Sequence, residues 1–160
     1  MADMQTSDVE FVMMQDYHLP AVFELEEKLF AGEEWSRDQF YSELSQVPDT
    51  RMYWVALHNK RVVGYFGLMA IDDFADVATL AVAPDYRRQG IASRMIDTII
   101  AEAIRRGATR MLLEVRTDNT AAIELYKKHG FSIIAERPNY YGPDIAAYMM
   151  ERPNLVVADV

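Results

Sequence analysis

The sequence predicts an α/β (α+β) sandwich: a mixed, mostly antiparallel sheet of about seven strands with about four helices on its faces. Three observations lead there. Short apolar runs of strand length alternate with stretches of helical period, and two of the runs flank a tight turn. In the second half the order becomes strand–helix–strand, which asks for parallel neighbours, whereas runs joined by short turns ask for antiparallel ones.

Val9–Met14 is a short apolar strand. Leu19, Val22, Phe23, Leu25, Leu29 and Phe30 then recur at helical spacing and define a first helix. Ser36, followed three residues later by Gln39, is a capping box, so a second helix starts there and runs to about Gln46, before Pro48 and Asp49 stop it. Met52–Leu57 and Val62–Ala70 flank His58-Asn59-Lys60-Arg61 as a hairpin. Val77–Ala83 is the next strand, ended by Pro84. A long helix from about Gln89 to Arg106 carries Ile91, Met95, Ile99, Ile100, Ala103 and Ile104 on one stripe, with Gly107 as its C′ residue. Arg110–Val115 is a strand, and Asp118 or Asn119 opens a helix closed by Lys128-His129-Gly130. Phe131–Glu136 and Ile145–Glu151 are the last strands. Residues 1–8 and 153–160 read as loose ends of a single domain over 9–152.

Composition narrows the chemistry. With 160 residues, 51% apolar and 26% charged, the chain is long enough to bury its own core. It has no cysteine, which excludes disulfides, thiolate catalysis and Cys-based zinc sites. His18, His58 and His129 show no metal spacing and read as surface or helix-end residues, so no metal is expected. A net charge of -9 repels phosphate backbones, so no nucleic-acid partner is expected, while cationic substrates are tolerated. No apolar run approaches the ~18 to 20 residues that span a bilayer, so no membrane association is expected. Met1–Glu10 is polar and acidic, unlike a signal or transit peptide, and a cytoplasmic location is expected.

Against that acidic background, Leu80-Ala81-Val82-Ala83-Pro84-Asp85-Tyr86-Arg87-Arg88-Gln89-Gly90-Ile91-Ala92 is cationic where a strand turns into the long helix. The orphan N–H groups of a helix start, left open by Gly90 and Ala92 and flanked by Arg87 and Arg88, make an anion site. Two arginines facing water at a helix start account for the same spacing. The turn is neither a dinucleotide fingerprint nor a Walker loop.

Arg87-x-x-Gly90-x-Ala92 resembles the (Q/R)-x-x-G-x-(G/A) pyrophosphate loop of the GNAT N-acetyltransferase superfamily. Leu80-Ala81-Val82 resembles the strand whose splayed backbone binds the pantetheine arm and acetyl group. Leu112-Leu113-Glu114-Val115-Arg116-x-x-Asn119-x-x-Ala122-x-x-Leu125-Tyr126-x-x-x-Gly130-Phe131 and Asn139-Tyr140-Tyr141 are similar to the RimI branch, which acetylates a ribosomal protein's N-terminal alanine. Glu34-Trp35-Ser36 resembles that branch's Pro-Trp-Ser, with Glu34 where proline is usual. The resemblance covers roughly residues 10–150.

It implies a GNAT fold and acetyl-CoA as co-substrate, held by Leu80, Ala81, Val82, Arg87, Arg88, Gln89, Gly90, Ile91, Ala92, Ser93 and Asn119. It implies Glu114 as general base, Tyr126 as general acid, and Trp35, Tyr140 and Tyr141 at the peptide pocket. The implied partner is a protein N-terminus, with the enzyme a monomer or weak dimer. The residues allow other readings. Strand alternation puts Glu114 on one face with Leu112 and Arg116, so a structural pair with Arg116 accounts for it equally. Tyr126 fits a core-edge tyrosine, Asn119 a plain N-cap, and Tyr140 and Tyr141 interstrand packing. The first loop, Phe30 to Trp35, forms the opposite wall of the pocket, and its Glu33 and Glu34 suit either a solvated acidic loop or a lure for a cationic N-terminus.

Direct acetyl transfer to an amine needs no thiol in the enzyme. An α-amine, with a pKa of about 7.7–8.0 against about 10.4 for lysine, asks less of a carboxylate base. Acetylation of a polyamine or aminoglycoside, or non-catalytic CoA binding, are the competing functions.

Overall fold

The computed structural model describes residues 8–155, so of the expected loose ends residues 1–7 and 156–160 lie outside it. Its elements follow the predicted order: β1 (Glu10–Met13), α1 (Leu19–Leu29), α2 (Arg37–Leu44), β2 (Arg51–His58), β3 (Arg61–Ile71), β4 (Phe74–Val82), α3 (Ile91–Arg105), β5 (Arg110–Arg116), α4 (Thr120–Lys128), β6 (Ser132–Gly142) and β7 (Ile145–Arg152). The seven strands share one sheet in the order β1-β2-β3-β4-β5-β7-β6. The β4–β5 pair is parallel, while β1–β2, β2–β3, β5–β7 and β6–β7 are antiparallel. The described chain forms two compact units, residues 8–69 with 78–97, and residues 70–77 with 98–155.

In the first unit, Leu19, Val22 and Phe23 of α1 and Phe40 of α2 bury against Tyr53, Val55 and Tyr65 of the β2–β3 hairpin. The predicted capping box at α2 is present: Gln39 N–H donates to Ser36 Oγ (3.1 Å) and Ser36 N–H to Gln39 Oε1 (2.7 Å). Asn59 and Lys60 turn the hairpin with φ of 50° and 66°, a left-handed pair that matches the strand twist. Gly64 is required by close packing: a Cβ there would come within 2.6 Å of the Ala81 carbonyl oxygen and 2.8 Å of Met95 Cε.

In the second unit β5 alternates as expected, with Met111, Leu113 and Val115 buried and Leu112, Glu114 and Arg116 half-buried. α4 opens at Asn119, whose side chain accepts the Ala122 N–H at 3.2 Å.

Most boundaries shift by a residue or two from the sequence expectation, and three of the differences have a clear cause. β4 begins at Phe74 instead of Val77, because Phe74–Asp76 pair with Arg110–Leu112 despite the acidic residues before them. α3 begins at Ile91 instead of Gln89, because Arg88 and Gly90 take φ of 62° and 82°, which no helix admits. β6 runs on to Gly142 past Glu136. Pro138 reads as a strand breaker, but β6 is the sheet's edge strand, where a missing N–H costs no ladder bond.

Candidate active site

In the first unit the cationic turn is built from the end of β4 into α3. Pro84–Tyr86 make one 3-10 turn, Arg87 is extended (φ −75°, ψ 160°), and the chain enters α3 through the left-handed Arg88 and Gly90. Left-handed residues of this kind turn successive N–H groups toward one side, and the α3 start adds its own orphan donors. Arg87 Nε donates to the Val82 carbonyl (3.2 Å), tying the strand end to the turn, and Gln89 Nε2 donates to the Asp85 carbonyl (3.4 Å). Ala81 and Val82 are buried, Leu80 is half-buried, and Ile91 is buried with Met95, Ile96 and Ile99 along α3. Ala92 and Ser93 are half-buried at the first turn, and Arg87 and Arg88 are exposed. A backbone cradle with two exposed cations and no Cβ at Gly90 suits a diphosphate such as that of CoA.

Trp35, also in the first unit, turns its ring onto Phe40 (5.0 Å between centroids) and Tyr53 (6.3 Å). Its backbone N–H donates to Glu26 Oε2 at 2.8 Å. Glu26 is only 3% exposed and also accepts a short hydrogen bond from the Tyr65 hydroxyl. Burial pushes the Glu26 carboxyl up, Glu34 pushes the same way, and the bonds from Tyr65 and Trp35 oppose. The sequence reading missed Glu26. Its signal was a carboxylate on the apolar stripe of α1, four residues after Val22 and three after Phe23.

In the second unit Glu114 stands half-buried on β5 and enters no ion pair among the described residues. Arg116 instead forks onto Asp118, Nε–Oδ1 at 3.0 Å and Nη2–Oδ2 at 2.9 Å, and holds that carboxyl below its usual range. The Glu114–Arg116 pair that residue chemistry allowed does not form.

Tyr126 of α4 is 8% exposed, edge-on to Phe131 at 5.8 Å, and burial pushes its phenol up to about 12. Asn119 is exposed and serves as the α4 N-cap. Tyr140 is exposed, edge-on to Tyr141 at 4.8 Å, with the Arg137 guanidinium 5.9 Å from its ring centre. Burial raises the Tyr140 phenol first, the Glu114 and Asp76 carboxylates raise it further, and Arg137 opposes them. Glu114 and Tyr140 therefore share one neighbourhood. Asp76 joins them, a carboxylate that the sequence reading left out; its partner across β4–β5 is Leu112, on the face of Glu114.

Of the histidines, His18 is buried at the entry to α1, where Nδ1 accepts the Gln15 N–H at 2.9 Å. It is thus a helix-end residue but not a surface one. His58 shares a 2.8 Å hydrogen bond with the Tyr86 hydroxyl, and His129 caps α4. Among the described residues no cluster of three or more His, Asp or Glu side chains could hold a metal ion. No described helix is long and apolar enough to cross a membrane.

A seven-stranded mixed sheet whose β4 turns through two exposed arginines into a long helix is the architecture of acyltransferases that draw on a CoA thioester. Comparison with known proteins agrees. The acetyltransferase (GNAT) family model matches residues 19–131. The ribosomal protein bS18-alanine N-acetyltransferase of Escherichia coli is 32% identical over 123 residues, 77% of this chain and 80% of that protein. The N-alpha-acetyltransferase RimI of Mycobacterium tuberculosis is 36% identical over 137 residues, 81% of this chain and 82% of that protein. The crystal structure of the E. coli enzyme superposes with a TM-score of 0.83 at 28% identity, covering 94% of this chain and 97% of that one. The chain belongs to the GNAT acetyltransferase family and is an acetyl-CoA-dependent N-acetyltransferase.

Proposed function

We propose that the acceptor is the N-terminal α-amine of a protein, with an alanine-starting ribosomal-protein N-terminus as the substrate class. The observation that carries this reading is Glu114: a half-buried carboxylate on β5, unpaired among the described residues, within the electrostatic reach of the Tyr140 phenol. The names of the similar bacterial enzymes support the same class.

Arg87, Arg88 and the backbone of Gln89–Ser93 would hold the diphosphate, and Leu80–Val82 and Asn119 the pantetheine arm. Acetyl-CoA supplies an activated carbonyl and a thiol leaving group. Glu114 accepts the first proton of the α-ammonium, directly or through a water, and the neutral nitrogen that results bonds to the acetyl carbon. Backbone N–H groups near Leu80–Val82 stabilise the charge that develops on the carbonyl oxygen. Tyr126 donates from its hydroxyl toward the sulfur as the carbon–sulfur bond breaks. Its raised pKa keeps the phenol protonated throughout the neutral range. Against a thiol of about 8.5, full transfer from the phenol is uphill, so Tyr126 mainly donates a hydrogen bond to the departing charge. The second proton, shed by the acylated nitrogen, passes to the sulfur, which leaves as the thiol. The Tyr140–Tyr141 pair of the second unit and the Phe30–Trp35 loop of the first are the segments proposed to meet the acceptor peptide.

The net charge of -9 also suits a polycation, so a polyamine acceptor is the second reading. Turnover of an alanine-starting peptide against spermidine, each with acetyl-CoA, decides between them. Peptide turnover well above spermidine turnover supports the proposal, and the reverse order overturns it.

A further inference from the structure

We infer that Glu26 is a positioning residue for the acceptor peptide: its buried carboxylate fixes the loop of residues 30–35 through the backbone N–H of Trp35. The inference rests on the reading that this loop walls the acceptor site.

A carboxylate on the apolar stripe of α1 is an expensive residue. At 3% exposure it loses its hydration, and no cation pairs with it among the described residues. Its two oxygens are satisfied only because two donors, the Tyr65 hydroxyl and the Trp35 N–H, are aimed at them. What a carboxylate supplies, and leucine does not, is two acceptors on one rigid group. Glu26 uses them in different directions. Oε1 takes the Tyr65 hydroxyl of β3, and Oε2 takes the Trp35 N–H at 2.8 Å. One side chain on α1 is thereby a strut between the sheet and the loop.

The loop is stitched along its own length. Phe30 N–H donates to the Glu26 carbonyl (2.9 Å), Glu33 N–H to the Phe30 carbonyl (2.7 Å), and Gly32 N–H to Glu34 Oε2 (2.6 Å). These bonds set its curvature but not its place over the core. Two contacts at Trp35 set the place. The ring is seated on Phe40 and Tyr53, and the N–H reaches back across nine residues to Glu26. With that end pinned, Ala31, Gly32 and Glu34 remain exposed, as an acceptor wall requires.

The test compares wild type with Glu26→Leu, Glu26→Gln and Tyr65→Phe. In Glu26→Leu the KM for an alanine-starting peptide rises ~10-fold, because small misplacements of substrate-positioning groups carry large penalties. The KM for acetyl-CoA stays within about two-fold, while the melting temperature falls by a few degrees because the Tyr65 hydroxyl and the Trp35 N–H lose their acceptor. Glu26→Gln rescues the peptide KM: its amide oxygen accepts the Trp35 N–H, and its NH2 donates to the Tyr65 oxygen. Tyr65→Phe, which deletes the sheet tether alone, raises the peptide KM ~3-fold, about the value of one neutral hydrogen bond.

Amide hydrogen exchange at Trp35, read by NMR, follows the tie without any substrate. Protection is lost in Glu26→Leu and retained in Glu26→Gln. Unchanged protection in the leucine variant overturns the inference, as does a wild-type peptide KM in that variant or a parallel rise in both KM values. If wild type acetylates spermidine but no peptide, the acceptor reading fails and the positioning role falls with it. An active wild type beside an indifferent leucine variant removes the positioning role alone.

Discussion

Glu26 and Glu114 are both carboxylates set in apolar segments, and the two units of the molecule treat them in opposite ways. Glu26 is buried, with one oxygen committed to Tyr65 and the other to Trp35. Glu114 is half-buried on an alternating strand, and the cation two residues along forks onto Asp118 instead. The first carboxylate is fixed and can only hold something else in place. The second, as the proposed general base, would have its oxygens open to an incoming proton. Availability, more than burial or the mere presence of a carboxylate, separates a base from a strut.

The sharpest way to break that contrast is Glu114→Gln. Loss of a general base predicts a fall in kcat/KM of ~10²–10⁴ with an unchanged circular dichroism spectrum. An intact rate would place the base elsewhere. Tyr126→Phe follows, with kcat reduced ~10- to 100-fold and both KM values near wild type, as measured by steady-state assay. Gly90→Ala bears on the cofactor side: at φ 82° a side chain costs about 1–2 kcal/mol of backbone strain, and the acetyl-CoA KM rises ~10-fold while the peptide KM does not.

A pH series sharpens the contrast between buried and open groups. The Tyr126 phenol is raised to about 12, against about 10 in an unfolded chain. Its stabilising contribution is complete below about pH 10 and is lost as the pH rises toward about 12, because the unfolded state ionises first. Burial raises the Tyr53 and Tyr65 phenols too, so they act in the same direction. Urea midpoints should fall across that window, less steeply in Tyr126→Phe.

The smallest effect belongs to a half-buried carboxylate that two arginines share. Glu102 meets Arg105 and Arg106 on α3, and those bonds hold its carboxyl below the usual range. Its contribution is present above the unfolded pKa and fades as the pH falls through the folded one. Arg105→Ala, which removes the exposed partner and leaves Arg106 in place, should barely shift the urea midpoint.

Much of this was legible in the sequence where the signal is local. The Ser36–Gln39 box, the Asn59–Lys60 turn and the alternation of Met111–Val115 each follow from a few neighbouring residues, and each stands as expected. The cationic turn was visible as an exception to the overall charge. Long-range relations were not. Glu26 meets Tyr65 across 39 positions, and Arg116 had two carboxylates equally near in the sequence, Glu114 and Asp118. Asp76 looked like a strand boundary until β5 paired beside it. The strand expected to end at Glu136 runs on past Pro138, because nothing local says that it is an edge.

The central claim is that this acetyltransferase acts on a protein α-amine. It is tested most directly with a peptide that begins with alanine and carries an internal lysine, incubated with acetyl-CoA and fragmented in a mass spectrometer. The acetyl group is predicted on the α-nitrogen of the alanine. Acetylation of the lysine side chain alone, or no transfer to the peptide by an enzyme that turns over spermidine, would contradict it.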